Sequence, residues 1–105
     1  MNPPSNMEWN MGLAFEQAYL GYSKDEVPVG AIVVTPSGEV LSKAHNEKES
    51  KFNPCGHAEI LALVSAGEKL KNWRLSECHL YVTLEPCVMC FGAMIQARIS
   101  HLIFG

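Results

Sequence analysis

The stretch VPVGAIVV at residues 27–34 carries no charge and alternates nowhere with polar residues. A strand of this kind has no face to offer to water, so it needs cover on both sides. That requirement selects a layered α/β fold over a half-exposed meander. The turn chemistry of TPSGE (35–39), with Pro36 and Gly38, leads into VLSKAH (40–45), so the two apolar runs read as a hairpin. Upstream, Met11, Ala14, Phe15, Ala18 and Tyr22 fall on one stripe, predicting an amphipathic helix over 7–22. Downstream, residues 46–56 are polar and contain Pro54 and Gly56, the signature of a loop. A second helix is expected over 57–71, with Ile60, Leu61, Leu63 and Val64 inward. HLYVTL (79–84) reads as a third strand. Residues 87–98 read as a third helix with Phe91, Met94 and Ile95 on its inner side, and HLIFG (101–105) as a fourth strand. The expectation is an α/β sheet of mixed strand directions in one domain over 7–105, preceded by a loose leader at 1–6 where Pro3 and Pro4 block helix.

Charge and composition exclude several classes of function. Eight Lys and Arg against eleven Asp and Glu give a formal net charge of −3, which argues against a surface that grips phosphates throughout. Lys43, Lys48 and Lys51 form the nearest thing to a basic cluster, and Glu39, Glu47 and Glu49 lie among them. The start MNPPSNMEWN has neither the basic residues nor the apolar run of a signal peptide. No segment reaches the ~18 uninterrupted apolar residues of a membrane span. The expected location is therefore the cytoplasm, where thiols stay reduced, and a disulfide framework among Cys55, Cys78, Cys87 and Cys90 is disfavoured.

EPCVMC at 85–90 concentrates the chemistry. Cys87 and Cys90 stand three apart in the first turn of a predicted helix, so both sulfurs can face one point. Pro86 suits a helix start, and the helix N-terminus favours thiolate. His57, opening the previous helix after the loop, can supply a third ligand if both first turns meet at one sheet edge. Three protein ligands with one open position is the layout of a catalytic zinc. Glu59, two residues on, can carry protons between water and a substrate atom there. A structural zinc closed by Cys55, and ordinary buried residues, are the competing readings.

HAE at 57–59 with PCVMC at 86–90 resembles the zinc-dependent cytidine and nucleobase deaminase superfamily, whose signature is H-x-E…P-C-x-x-C. EVPVGAIVV, HNEK, HAEILAL, NWRL and LYVTLEPCVMCFGAMIQARISHLIFG extend the likeness from residue 7 onward, toward its bacterial tRNA adenosine deaminase branch. The resemblance implies a three-layer α/β/α cytidine-deaminase-like sheet, here ending after the fourth strand. It also implies one Zn2+ per chain on His57, Cys87 and Cys90, with Glu59 shuttling protons. Asn46, Ala58 through its backbone, and Val29 would contact the target base. The implied reaction is hydrolytic deamination, adenosine to inosine at the tRNA wobble position. Cys55 and Gly56 depart from the family pattern before the HAE motif. Family members also continue beyond this point with segments that carry RNA contacts, and the charge of −3 supplies none.

A free base or nucleoside such as guanine or cytosine is therefore an alternative substrate, and a non-catalytic zinc-binding partner subunit is a rival from another class. A homodimer is expected, with the helix bearing Phe91 and Met94 as its face. For Asn46 the competing role is a turn residue at the strand exit. Cys78 is expected to pack as a small apolar residue. His45, His79 and His101 are not expected to be ligands, and Trp9, Trp73, Phe91 and Met94 read as core or dimer surface.

Overall fold

The computed structural model describes residues 6–105. The expected leader over 1–6 lies outside the described residues except for Asn6, which precedes the first helix. The elements run α1 (Met7–Ser23), β1 (Gly30–Val34), β2 (Val40–His45), α2 (Ala58–Leu70), β3 (His79–Val82), α3 (Val88–Ala97) and β4 (His101–Phe104). The sheet order is β2-β1-β3-β4. β1 pairs antiparallel with both β2 and β3, and β4 lies parallel to β3. A parallel neighbour needs a crossover, and α3 provides it. The sheet is open, mixed and covered on both faces.

The pleat of β1 explains why VPVGAIVV lacks a polar face. Ile32 and Val34 point toward α1 with Tyr81 and Ala14, while Ala31 and Val33 point into the opposite core with Leu80, Val82, Ala62 and Met94. All five residues of β1 are buried, and each fully buried aliphatic side chain stabilises by about 1.5–3 kcal/mol relative to exposure. Gly30 opens the strand where α1 crosses it closely. A Cβ there would run into the backbone of Ala14 and Ala18, so only glycine lets helix and strand approach.

The helices differ from the sequence expectation in which residues face inward. α1 buries Asn10, Ala14, Ala18 and Gly21, while Phe15 and Tyr22 are exposed. α2 buries Ala58, Glu59, Ala62, Leu63 and Ala66 and leaves Val64 outside. In α3 only Cys90 and Met94 are buried, and Phe91 and Ile95 are exposed. The cause is shared: helices lying close on a sheet fill the contact with small side chains, and the larger apolar residues are displaced to the flanks. β1 starts three residues later than expected and β3 ends two earlier. No helix among the described residues is long and apolar enough to cross a membrane.

His79, buried on β3, packs its ring, tilted by 59°, against that of His101 of β4 at 4.6 Å between centroids. Burial, and then the nearby His101, push the His79 pKa down. The folded protein thus binds fewer protons here than the unfolded chain, and its stability rises with pH. The contribution is complete above the unfolded value of about 6.5 and is lost as pH falls below it. Urea midpoints are expected to drop between pH 7.5 and 5.5, and to drop less in His79→Gln. An equal drop in both would contradict this origin.

Candidate metal centre and active site

Two helix starts meet at one edge of the sheet. His57 is the N-cap of α2 and Cys87 the N-cap of α3, with Cys90 one turn along. Thr83 ties the end of β3 to β1, because its N–H donates to the Gly30 carbonyl (3.0 Å) and its Oγ1 accepts from the Gly30 N–H (3.1 Å). His57 Nδ1 lies 3.3 Å from Cys90 Sγ and 3.6 Å from Cys87 Sγ. The three ligand atoms all fall within 4.8 Å of one another. Tetrahedral zinc, with bonds of about 2.05 Å to nitrogen and about 2.3 Å to sulfur, sets such N and S atoms about 3.5 Å apart. The spacing fits.

The charges fit as well. Backbone N–H groups at the α3 start, those of Cys90 and Met89, hold the Cys87 thiol below its ordinary pKa despite some burial, although no formal cap bond forms. Burial, and then the Glu59 carboxylate, push the Cys90 thiol up. Two sulfurs and a carboxylate gathered in one place want a cation between them. Among the described residues, the group has no fourth His, Cys, Asp or Glu. Cys55 stays exposed and outside it, its N–H given to Asn53 Oδ1 at 2.9 Å, so the closed structural site loses its fourth ligand. All four cysteines are free thiols. Cys78 is buried among apolar neighbours, which raises its pKa.

A cavity of about 250 Å³ opens beside the three ligands, lined by Val29, Asn46, His57, Glu59 and Cys87, with Val27, Lys48, Leu84 and Glu85 around them. It lies just under the usual small-ligand range of about 300–1,000 Å³. Glu59 is buried at 4 % exposure. Asn46, also buried, accepts the Ala58 N–H through Oδ1 at 2.7 Å. This leaves its amide nitrogen as the group available to a ligand. Ala58 itself spends its N–H on Asn46 and is not part of the cavity wall. A larger apolar groove of about 600 Å³ runs between α2 and α3, with Leu63, Val64, Trp73 and Ala97 on its walls. Among the described residues it holds none of the three grouped ligands and one ionisable residue, Glu68, so the chemistry is placed at the smaller cavity.

Residues 4–105 match the family described as the cytidine and deoxycytidylate deaminase zinc-binding region. The chain belongs to this family. It is 46% identical over 98 residues to the tRNA-specific adenosine deaminase of Aquifex aeolicus (strain VF5), covering 93% of this chain and 64% of that one. To the enzyme of that name from Bacillus subtilis (strain 168) it is 42% identical, covering 93% and 60%. The chain thus spans about six-tenths of the length of these curated relatives. A structure from work on A-to-I editing by tRNA:A34 deaminases at the wobble position superposes with a TM-score of 0.93 at 39% identity, covering 96% of this chain and 77% of that one. Guanine deaminase from Bacillus subtilis superposes at 0.91 with 30% identity, covering 100% and 64%. Zinc is the metal this family's donor set implies, and one ion fits His57, Cys87 and Cys90.

Lys48, Leu84 and Glu85 also line the cavity, and Glu26 holds the neighbouring loop, without a motif in the sequence that marks them. Glu85 neighbours the cysteine motif and could have been placed by adjacency. Glu26 gave no such signal.

Proposed function

We infer that this protein is a zinc-dependent hydrolytic deaminase of an amino-substituted nucleobase, with adenosine at the wobble position of tRNA as its substrate. The observation that carries the reading is the buried Glu59 lining the same cavity as His57 and Cys87. When bound by His57, Cys87 and Cys90, zinc supplies the Lewis acidity that makes water nucleophilic at neutral pH. Glu59 is the proton carrier, taking a proton from water and delivering protons to the ring nitrogen and the leaving amine. Asn46 orients the base through its amide nitrogen, Val29 forms the apolar wall, and the Ala58 backbone holds Asn46 in place. Four groups, His57, Glu59, Cys87 and Cys90, thus act on a cavity sized for one base.

The relatives named tRNA-specific adenosine deaminase, at 42–46% identity, support the tRNA substrate. The 0.91 superposition on a guanine deaminase and the net charge of −3 favour a second reading, a free purine base. Ammonia release from a tRNA anticodon stem-loop, adenosine, guanine and cytosine separates them. The tRNA reading expects the stem-loop to exceed the best free base in kcat/KM. Guanine as the preferred substrate would overturn it. No ammonia from any of these would count against the deaminase reading itself.

We place the protein in the cytoplasm, its zinc domain at 7–105, as a homodimer. Met94 is buried in the core and leaves the proposed face. Phe91 and Ile95 are exposed on α3 and support that face.

A further inference from the structure

We propose that Glu26 is a positioning residue that holds the loop between β2 and α2, and through it sets Asn46 for the base. Glu26 is buried at 4 % exposure, yet it is neither a metal ligand nor part of the cavity wall. Its Oε1 accepts the Glu49 N–H at 3.1 Å and its Oε2 the Ser50 N–H at 2.7 Å. Charge-assisted bonds of this kind are roughly twice as strong as neutral ones.

The loop they hold, residues 46–57, has Asn46 at one end and the metal ligand His57 at the other. Its ends are closed by Asn46 Oδ1 accepting from the Ala58 N–H and by the Glu47 N–H donating to the Gly56 carbonyl at 2.8 Å. Gly56 makes this closure fit, since a Cβ there would meet the Glu47 carbonyl carbon at 3.0 Å. Closing the ends leaves the middle of the loop, Glu49 and Ser50, to be held, among the side chains of the described residues, by Glu26. The same chain segment continues into Val27 and Val29, which line the cavity, and the Val29 carbonyl accepts the Asn46 N–H at 3.2 Å. His45, next to Asn46, places its Nδ1 2.9 Å from the Asn46 carbonyl, to which Nδ1–H donates. Glu26 therefore joins the apolar wall, the loop apex and the base-holding amide into one unit.

The carboxylate, and not merely a side chain of its size, is required. In Glu26→Gln one backbone N–H would face the amide NH2, donor against donor. Expected results for that variant are zinc content near one per chain, kcat/KM lowered about 10- to 100-fold, and most of the loss in KM. Glu26→Asp, which keeps the charge, recovers part of it and takes over the readouts if Glu26→Gln does not fold. In a double-mutant cycle with Asn46→Ala the two losses should be strongly non-additive. An unchanged kcat/KM, or losses that add, would overturn the proposal.

The kinetic arm rests on the deaminase reading, and amide hydrogen exchange does not. In Glu26→Gln, exchange should accelerate at Glu49 and Ser50 and also at Ala58, the amide that holds Asn46. Acceleration confined to Glu49 and Ser50 would show that the loop apex does not communicate with Asn46, and the proposal fails even in an active enzyme.

Discussion

Glu59→Ala is expected to lower turnover by about 10²- to 10⁴-fold, the usual contribution of a positioned proton carrier, while leaving zinc content and fold in place. Glu59 is not among the three grouped ligands, but it lies in the same cavity and its charge is felt at both sulfurs. Removing it takes away the one acidic group that, among the described residues, is buried at the cavity, so the proposed mechanism loses base and general acid together. Asn46, the other buried polar wall residue, has no proton to exchange at neutral pH and cannot substitute. Steady-state ammonia release and metal analysis of the same preparation check this. A variant that loses zinc along with activity would show Glu59 to be a ligand, and a variant that keeps activity would remove it from the mechanism.

The second large effect is metal removal. Chelation should abolish turnover and lower the thermal midpoint, because an ion that binds the folded state adds its binding free energy to stability. Without it, the Cys90 sulfur stays buried near Glu59 with its thiolate disfavoured. His57→Ala or Cys90→Ser should weaken zinc binding on the order of 100-fold. A complete site is worth about 10–16 kcal/mol and one ligand roughly a quarter of it. Cys55→Ser should change neither zinc content nor turnover, since Cys55 is exposed and outside the group. Zinc titration against a chromophoric chelator reads all three. Equal affinity in wild type and Cys90→Ser would refute the ligand set, and weakened binding in Cys55→Ser would restore the closed-site reading.

The metal group was legible because its signal is local. An i, i+3 pair of cysteines after Pro86 meets a histidine that also opens a helix, and helix starts after a sheet edge converge. The doubly covered β1 was legible for a similar reason: eight uncharged residues permit few environments. Helix faces were less so. Phe15, Tyr22, Val64, Phe91 and Ile95 are apolar and at helical spacing, yet they lie outside, because the inner contacts are filled by Ala14, Ala18, Ala62 and Ala66. Hydropathy reports what a side chain prefers, and close packing decides which one fits. α3 is apolar on nearly every side, so no stripe distinguishes its inner face. Val27 and Val29 look like strand, but Pro28 between them lacks the N–H that a ladder requires. Glu26 was invisible for another reason. Its partners lie 23 and 24 residues away in a loop without regular structure, and nothing in a glutamate after an aspartate marks it for burial.

X-ray absorption at the zinc edge of the purified protein tests the ligand set most directly. The arrangement of His57, Cys87 and Cys90 predicts two sulfur scatterers at about 2.3 Å and two lighter ones at about 2.0 Å, one of the latter exchangeable with added anion. Three sulfurs, or four ligands that no added anion disturbs, would contradict it.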